Sequence, residues 1–118
     1  MAALTVQNIV EAGLAASYAA AAAGGDVVPN DGNTFLHVKN GGGGSITVTV
    51  TPAVTTVQSA RHGTLTRANI AVAVPAAGER FIGPFAPEAF NNASGQASIT
   101  YSGVTTVTIA AVRLPAIA

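Results

Sequence analysis

Turn-forming residues cut this sequence into short pieces, and that spacing limits what the chain can become. Clusters at Gly24-Gly25, Pro29 to Gly32, Gly41 to Gly44, Pro75 to Gly78, Gly83-Pro84 and Asn91 to Gly95 punctuate it. The intervals between turns, about eight to twelve residues, suit short strands better than helices of ordinary length. The residues that fill them are β-branched and alternate with polar ones. In Ser45 to Thr51, SITVTVT, one face carries Ile46, Val48 and Val50 and the other Ser45, Thr47, Thr49 and Thr51, before Pro52 ends the run.

The same reading places the other strands. Leu4-Thr5-Val6 into Ile9-Val10 is expected as a first strand. Thr34 to Asn40 alternates Phe35, His37 and Lys39 against Leu36 and Val38, and the tetraglycine after it predicts a hairpin with a long tip leading into Ser45. Ile70 to Val74 stops at Pro75. Arg80 to Phe85 reads as a short edge-like segment ended by Gly83-Pro84, and Ala97 to Tyr101 and Val104 to Leu114 as the last strands. Leu14 to Ala23 is ambiguous. Alanine has the best helix propensity, yet the run has no N-cap or flanking charge, and about ten Ala-rich residues are marginal as a helix on their own. An extended segment packed against a neighbour is preferred, with a helical turn as the alternative. The fold expected is all-β: a single antiparallel β-sandwich or a small β-barrel with Gly/Pro/Asn-rich loops. Residues 1–118 form one domain, with 1–12 and 113–118 as arms available to neighbouring subunits.

The surface of such a domain is unusual in one respect. Charged residues make up 8% of the chain, five acids and five bases with net charge zero, where an average soluble domain has about 25%. Hydrophobic residues make up 49% but aromatics only 5%, so the core is built from Val, Ile, Leu and Ala. Lys39, Arg61, Arg67, Arg80 and Arg113 are dispersed, which argues against a nucleic-acid partner, because phosphate binding needs clustered cations. High hydrophobicity argues against disorder. With no cysteine there is no disulfide and no thiolate metal site. Leu14 to Ala23 is too short to span a bilayer, which takes about 20 apolar residues, so no membrane partner is expected. The N-terminus has Glu11 in place of a continuing apolar core and no basic flank, so it does not read as a signal peptide and cytoplasmic synthesis is expected.

Catalytic parts are scarce. His37 lies mid-strand and His62 in the ARHGTL turn, with no partner at a telling spacing, and Ser45, Ser94 and Ser102 flank turns without a nucleophile elbow. Asp26, Asn30, Asp31 and Asn33 supply oxygens near a glycine, but the calcium-loop spacing and its bidentate Glu are missing, and Asx turns account for them. The tetraglycine lacks the Lys-Ser/Thr of a phosphate loop. No catalytic residue, cofactor or metal is assigned, and a non-enzyme is expected. Phe81, Phe85 and Phe90 form an aromatic group that either plugs one end of the sandwich or projects one ring as an anchor.

The threonines carry the strongest functional signal. Thr47, Thr49, Thr51, Thr55, Thr56, Thr105, Thr106 and Thr108 stand where charges are usual. Charge is depleted at the centres of interfaces because burying an unpaired charge is costly, and free β edges are ordinarily guarded by Lys. Both point to assembly with other copies or another protein.

The stretches GGDVVPNDGNTFLHVKNGGG, VPAAGERFIGPF and FNNASGQASITYSGVTTVTIAAVRL resemble small structural proteins of tailed bacteriophages, in particular capsid decoration or cement proteins. The resemblance runs from about Leu4 to Leu114 and lies in texture and turn placement. It implies a virion component on the capsid exterior that binds and stabilises the lattice of the major capsid protein without catalysis. Its expected partners are that shell and further copies of itself. The alternative is a tail, fibre or head–tail joining module that recognises a host-surface glycan. The contacting parts expected are the N-terminal segment through Val10, the GGDVVPNDG loop and the apolar LPAIA tail, with Leu4, Val6, Asp26, Asn30, Asp31, Phe85, Leu114 and Ile117 as candidate contact residues.

Overall fold

In the computed structural model, which describes residues 2–53, 56–61, 63–66, 68–85 and 87–114, the alternating runs become strands and each takes its place by its apolar side. The strands are β1 (Ala2–Ala3), β2 (Val6–Asn8), β3 (Ala19–Ala20), β4 (Asp26–Pro29), β5 (Thr34–Asn40), β6 (Ile46–Thr51), β7 (Thr56–Ser59), β8 (Gly63–Thr66), β9 (Ile70–Val74), β10 (Glu79–Ile82), β11 (Gln96–Tyr101) and β12 (Val107–Arg113). One helical turn, α1 (Pro87–Phe90), follows β10. Sheet A has the order β1-β4-β11-β6-β9, and sheet B has β10-β5-β12-β2 with β3 also beside β12. β7 and β8 pair only with each other, as a hairpin between β6 and β9.

The two main sheets pack face to face as a β-sandwich, and neither closes into a barrel. Val28, Val48, Val50, Val74 and Ile99 of sheet A meet Leu36, Val38, Ile82, Val107 and Ile109 of sheet B in the core. Full burial of each such side chain is worth roughly 1.5–3 kcal/mol. Phe85 and Phe90 pack together with ring centroids 6.0 Å apart and are both buried, so they form the end plug.

Two buried asparagines fasten opposite ends of β5 and its approach. Asn40, at one end, donates through Nδ2 to the carbonyls of Gly44, Val74 and Pro75, and its Oδ1 accepts from the Gly42 amide. Asn30, at the other, donates to Phe85 O and Asn91 Oδ1, and its Oδ1 accepts from the Gly32 amide. Connections that pass between sheets leave backbone groups without ladder partners, and these amides satisfy them.

Two sequence expectations change and a third holds. The tetraglycine does not close a hairpin: β5 lies in sheet B and β6 in sheet A, so the loop crosses between sheets. Alternation fixes which face a residue takes but not which strand lies beside it, and four glycines can cross as easily as reverse. The expected first strand is split. β1 pairs parallel with β4 and β2 parallel with β12, so the chain changes sheet at Leu4, and the sandwich is not purely antiparallel. Leu14 to Ala23 is extended and irregular apart from β3, as preferred, with no helical turn. Gly25 shows why the turn after it must be glycine: φ is +93°, and a Cβ there would sit 2.6 Å from the Ile99 carbonyl oxygen.

Candidate interaction surfaces

The outward sides of the two sheets are finished differently. On sheet A, cross-strand pairs place Thr49 between Thr100 and Ala71, Thr51 beside Ser98, and Thr47 beside Ala73. Val27 and Pro29 of β4 continue the same side, opposite Ser98 and Gln96. None of these residues is charged. Thr51, Ala71, Ala73 and Thr100 are exposed, and no described strand or helix is stacked across them. The face is low in relief because its side chains are short.

On sheet B the chain covers its own outer side. The Gln7 side chain behaves like a peptide unit: its Nε2 donates to Ser17 O and its Oε1 accepts from Ser17 N, both at 2.8 Å, which closes the Ala-rich segment into a loop. Tyr18 then lies across β12 over Ala110 and reaches β5, where its hydroxyl is 2.6 Å from His37 Nδ1. Ala110 is buried although it points away from the core, because Tyr18 passes over it. A Tyr18 hydroxyl that donates to Nδ1 leaves the imidazole proton on Nε2, facing Glu79 Oε1 at 3.3 Å. The approach is poorly aligned, so the buried Nε2 has no hydrogen-bond partner. Phe81 lies flat on the imidazole, centroids 4.1 Å apart and planes 11° from parallel, and Lys39 Nζ stands 4.2 Å from the centre of the Tyr18 ring. The Tyr18–His37–Glu79 trio has the groups of a proton relay but is packed as a surface cluster, with Phe81 over the base. Among the described residues, no three His, Cys, Asp or Glu side chains come together to hold a metal, and no helix is long and apolar enough to cross a membrane.

The candidate contact residues divide by burial. Leu4, Asp26, Asn30 and Phe85 are inside the fold. Leu4 fills the point where the chain changes sheet and its amide bonds Val27 O. Asp26 Oδ2 accepts from Tyr101 Oη at 2.6 Å and from the Ala22 amide, while its buried Oδ1 has no partner. Burial, and then the Asp26 carboxylate, push the Tyr101 phenol well above its usual range. These four side chains therefore hold the monomer together rather than lining its surface. Val6 is half-buried against the core. Asp31 is at the surface, where the Asn33 amide, helped by Arg113 at 2.9 Å, holds its carboxyl below the usual range against the opposing effect of burial. Leu114 is exposed beside Ile9 and Val10 at the end of β2 and β12. Ile117, with the rest of 115–118, lies outside the described residues, as do His62, Arg67 and Thr55.

Of the three rings offered as a plug or a projecting anchor, Phe85 and Phe90 are the plug and Phe81, which is 66% exposed, is the one that projects, whereas the sequence named Phe85 as the contact residue. The signal was in Glu79-Arg80-Phe81-Ile82: an inward Ile82 puts Phe81 outward by the period of two. Sequence reasoning also missed Ala71 and Ala73, because alanine on a strand face carries no chemical mark. Comparison with protein-family models, with curated proteins and with solved structures finds no match for this chain.

Proposed function

We propose that this chain is a non-enzymatic structural protein of a tailed-phage virion, a decoration protein that binds the outside of the capsid and stabilises the major capsid protein lattice. The observation that carries the reading is the bare, uncharged outer side of sheet A. A face of Thr, Ser and Ala can be buried against a protein without stranding a charge, and its hydroxyls can serve either water or a partner. The exposed trio of Ile9, Val10 and Leu114 supplies a second, apolar contact at one end. Contacts of modest area add up when one molecule bridges neighbouring shell subunits, because the second contact forms at high effective concentration. Gel quantification of purified particles tests this: the expected stoichiometry approaches that of the major shell protein. Absence from the particle, or a few copies per particle, overturns it.

Phe81, beside Glu79 and Lys39, favours a second reading as a tail or fibre module in which the ring is a platform for a host glycan. Clear hits on a glycan array that vanish in F81A would establish that reading instead.

A further inference from the structure

We propose that two copies of the chain pair antiparallel through β9, about a two-fold axis at Val72, so that sheet A runs unbroken from one copy into the next.

Sheet A ends at β1, two residues long, and at β9, five residues long. Sheet B ends at β2, three residues long, and at β10, whose ERFI sequence sets Glu79 and Arg80 on the edge. Charges of this kind are how β proteins guard an edge against pairing. β9, Ile-Ala-Val-Ala-Val, is the longest of these edge strands and the one of the longer pair without a guard: no charge, no proline before Pro75 and no bulge in its pairing with β6.

The hydrogen-bond phase shows what β9 offers. The Thr47 amide and carbonyl both face the β11 side, through Ser102. In an antiparallel ladder the direction alternates, so Val48 faces β9 and is matched by Val72. Ala71 and Ala73 therefore turn their N–H and C=O groups outward, where no described strand meets them.

The occupant is a second copy because the strand is its own complement. Read outward from Val72 in either direction, the order is Ala and then a branched residue. Antiparallel pairing about Val72 sets Ala71 opposite Ala73 of the second copy as a hydrogen-bonded pair, and Ile70 opposite its Val74. Branched side chains fall on the core side and methyl groups on the outer side in both molecules. Net charge zero leaves little repulsion between copies. The pairing also joins two uncharged outer faces into one, which gives the proposed capsid-binding surface two attached halves. This deepens the proposed function, yet it is tested on the pure protein, without capsids, so either can fail alone.

The test is sedimentation equilibrium of wild type, A71K/A73K and A71K/A73E, with circular dichroism to verify the fold of each. Both positions are exposed, so the isolated fold tolerates the change. Wild type is expected to dimerise. A71K/A73K sets like charges opposite each other across the axis and is expected to weaken the dimer at least about tenfold. A71K/A73E sets opposite charges across it and is expected to bring the dissociation constant back to within about threefold of wild type. A wild type that stays monomeric to about 1 mM overturns the proposal. So does a dimer that both variants leave alone or weaken equally.

Discussion

The two outer faces of the sandwich solve the same problem in opposite ways. Sheet B has large side chains outside, Phe35, His37 and Phe81, and the chain turns its own N-terminal segment back over Ala110 to meet them. Sheet A has mainly Thr, Ser and Ala outside and receives no cover from the described strands or helix. A face of short, hydroxyl-bearing residues costs little to leave in water, so it can wait for a partner. A face of rings and a buried imidazole needs its roof at once. On the proposed reading, sheet B's outer side belongs to stability and sheet A's to association.

The sharpest way to break this contrast is to charge sheet A without disturbing it. T49K/T100E places opposite charges on a cross-strand pair, so stability should change by no more than about 0.5 kcal/mol, while particle binding, read by co-sedimentation, should fall about 100-fold because the charges would be buried at a contact. Unchanged binding removes the face from the interface. A smaller effect is expected on the roof. Y18A gives up the bond to His37, the ring contact and the cation above it, and should lower unfolding free energy in urea by about 2 kcal/mol. Y18F gives up only the bond and should cost about 1 kcal/mol. Particle binding should be unaffected in both, and a roof variant that unbinds particles would erase the contrast. The smallest effect belongs to Asp31, at the rim of sheet B. Its lowered folded-state pKa means it stabilises the fold above the ordinary carboxyl value of about 4 and stops doing so as pH falls through its folded value. Urea titrations should show D31N losing slightly less stability than wild type between neutral and acidic pH, and an identical pH profile would remove the Arg113 and Asn33 contacts from the account.

Particular residues show how far the sequence could be read. Ile70 to Val74 was legible to the residue and Ser45 to Thr51 to within one, because Pro75 and Pro52 end them and alternation assigns every side chain a face. The fate of Phe85 against Phe81 was not, because β10 ends at Ile82, between them, and period-two counting fails beyond the end of a strand. Asp26 and Asn30 looked like polar loop residues open to a partner. Their burial is visible only once Tyr101, 75 residues away from Asp26, and Asn91, 61 residues away from Asn30, are brought beside them.

Local chemistry thus determined the longer strands, their inward sides, the charge-free threonine side and the all-β class, since each depends on neighbours within a few residues, but not β4, which read as a loop, or the β7–β8 hairpin. The tertiary structure alone decided which strands share a sheet, that the tetraglycine crosses rather than reverses, that Tyr18 roofs one face and that β9 is an edge. Those outcomes turn on contacts between residues far apart in the chain, where alternation carries no information about the partner.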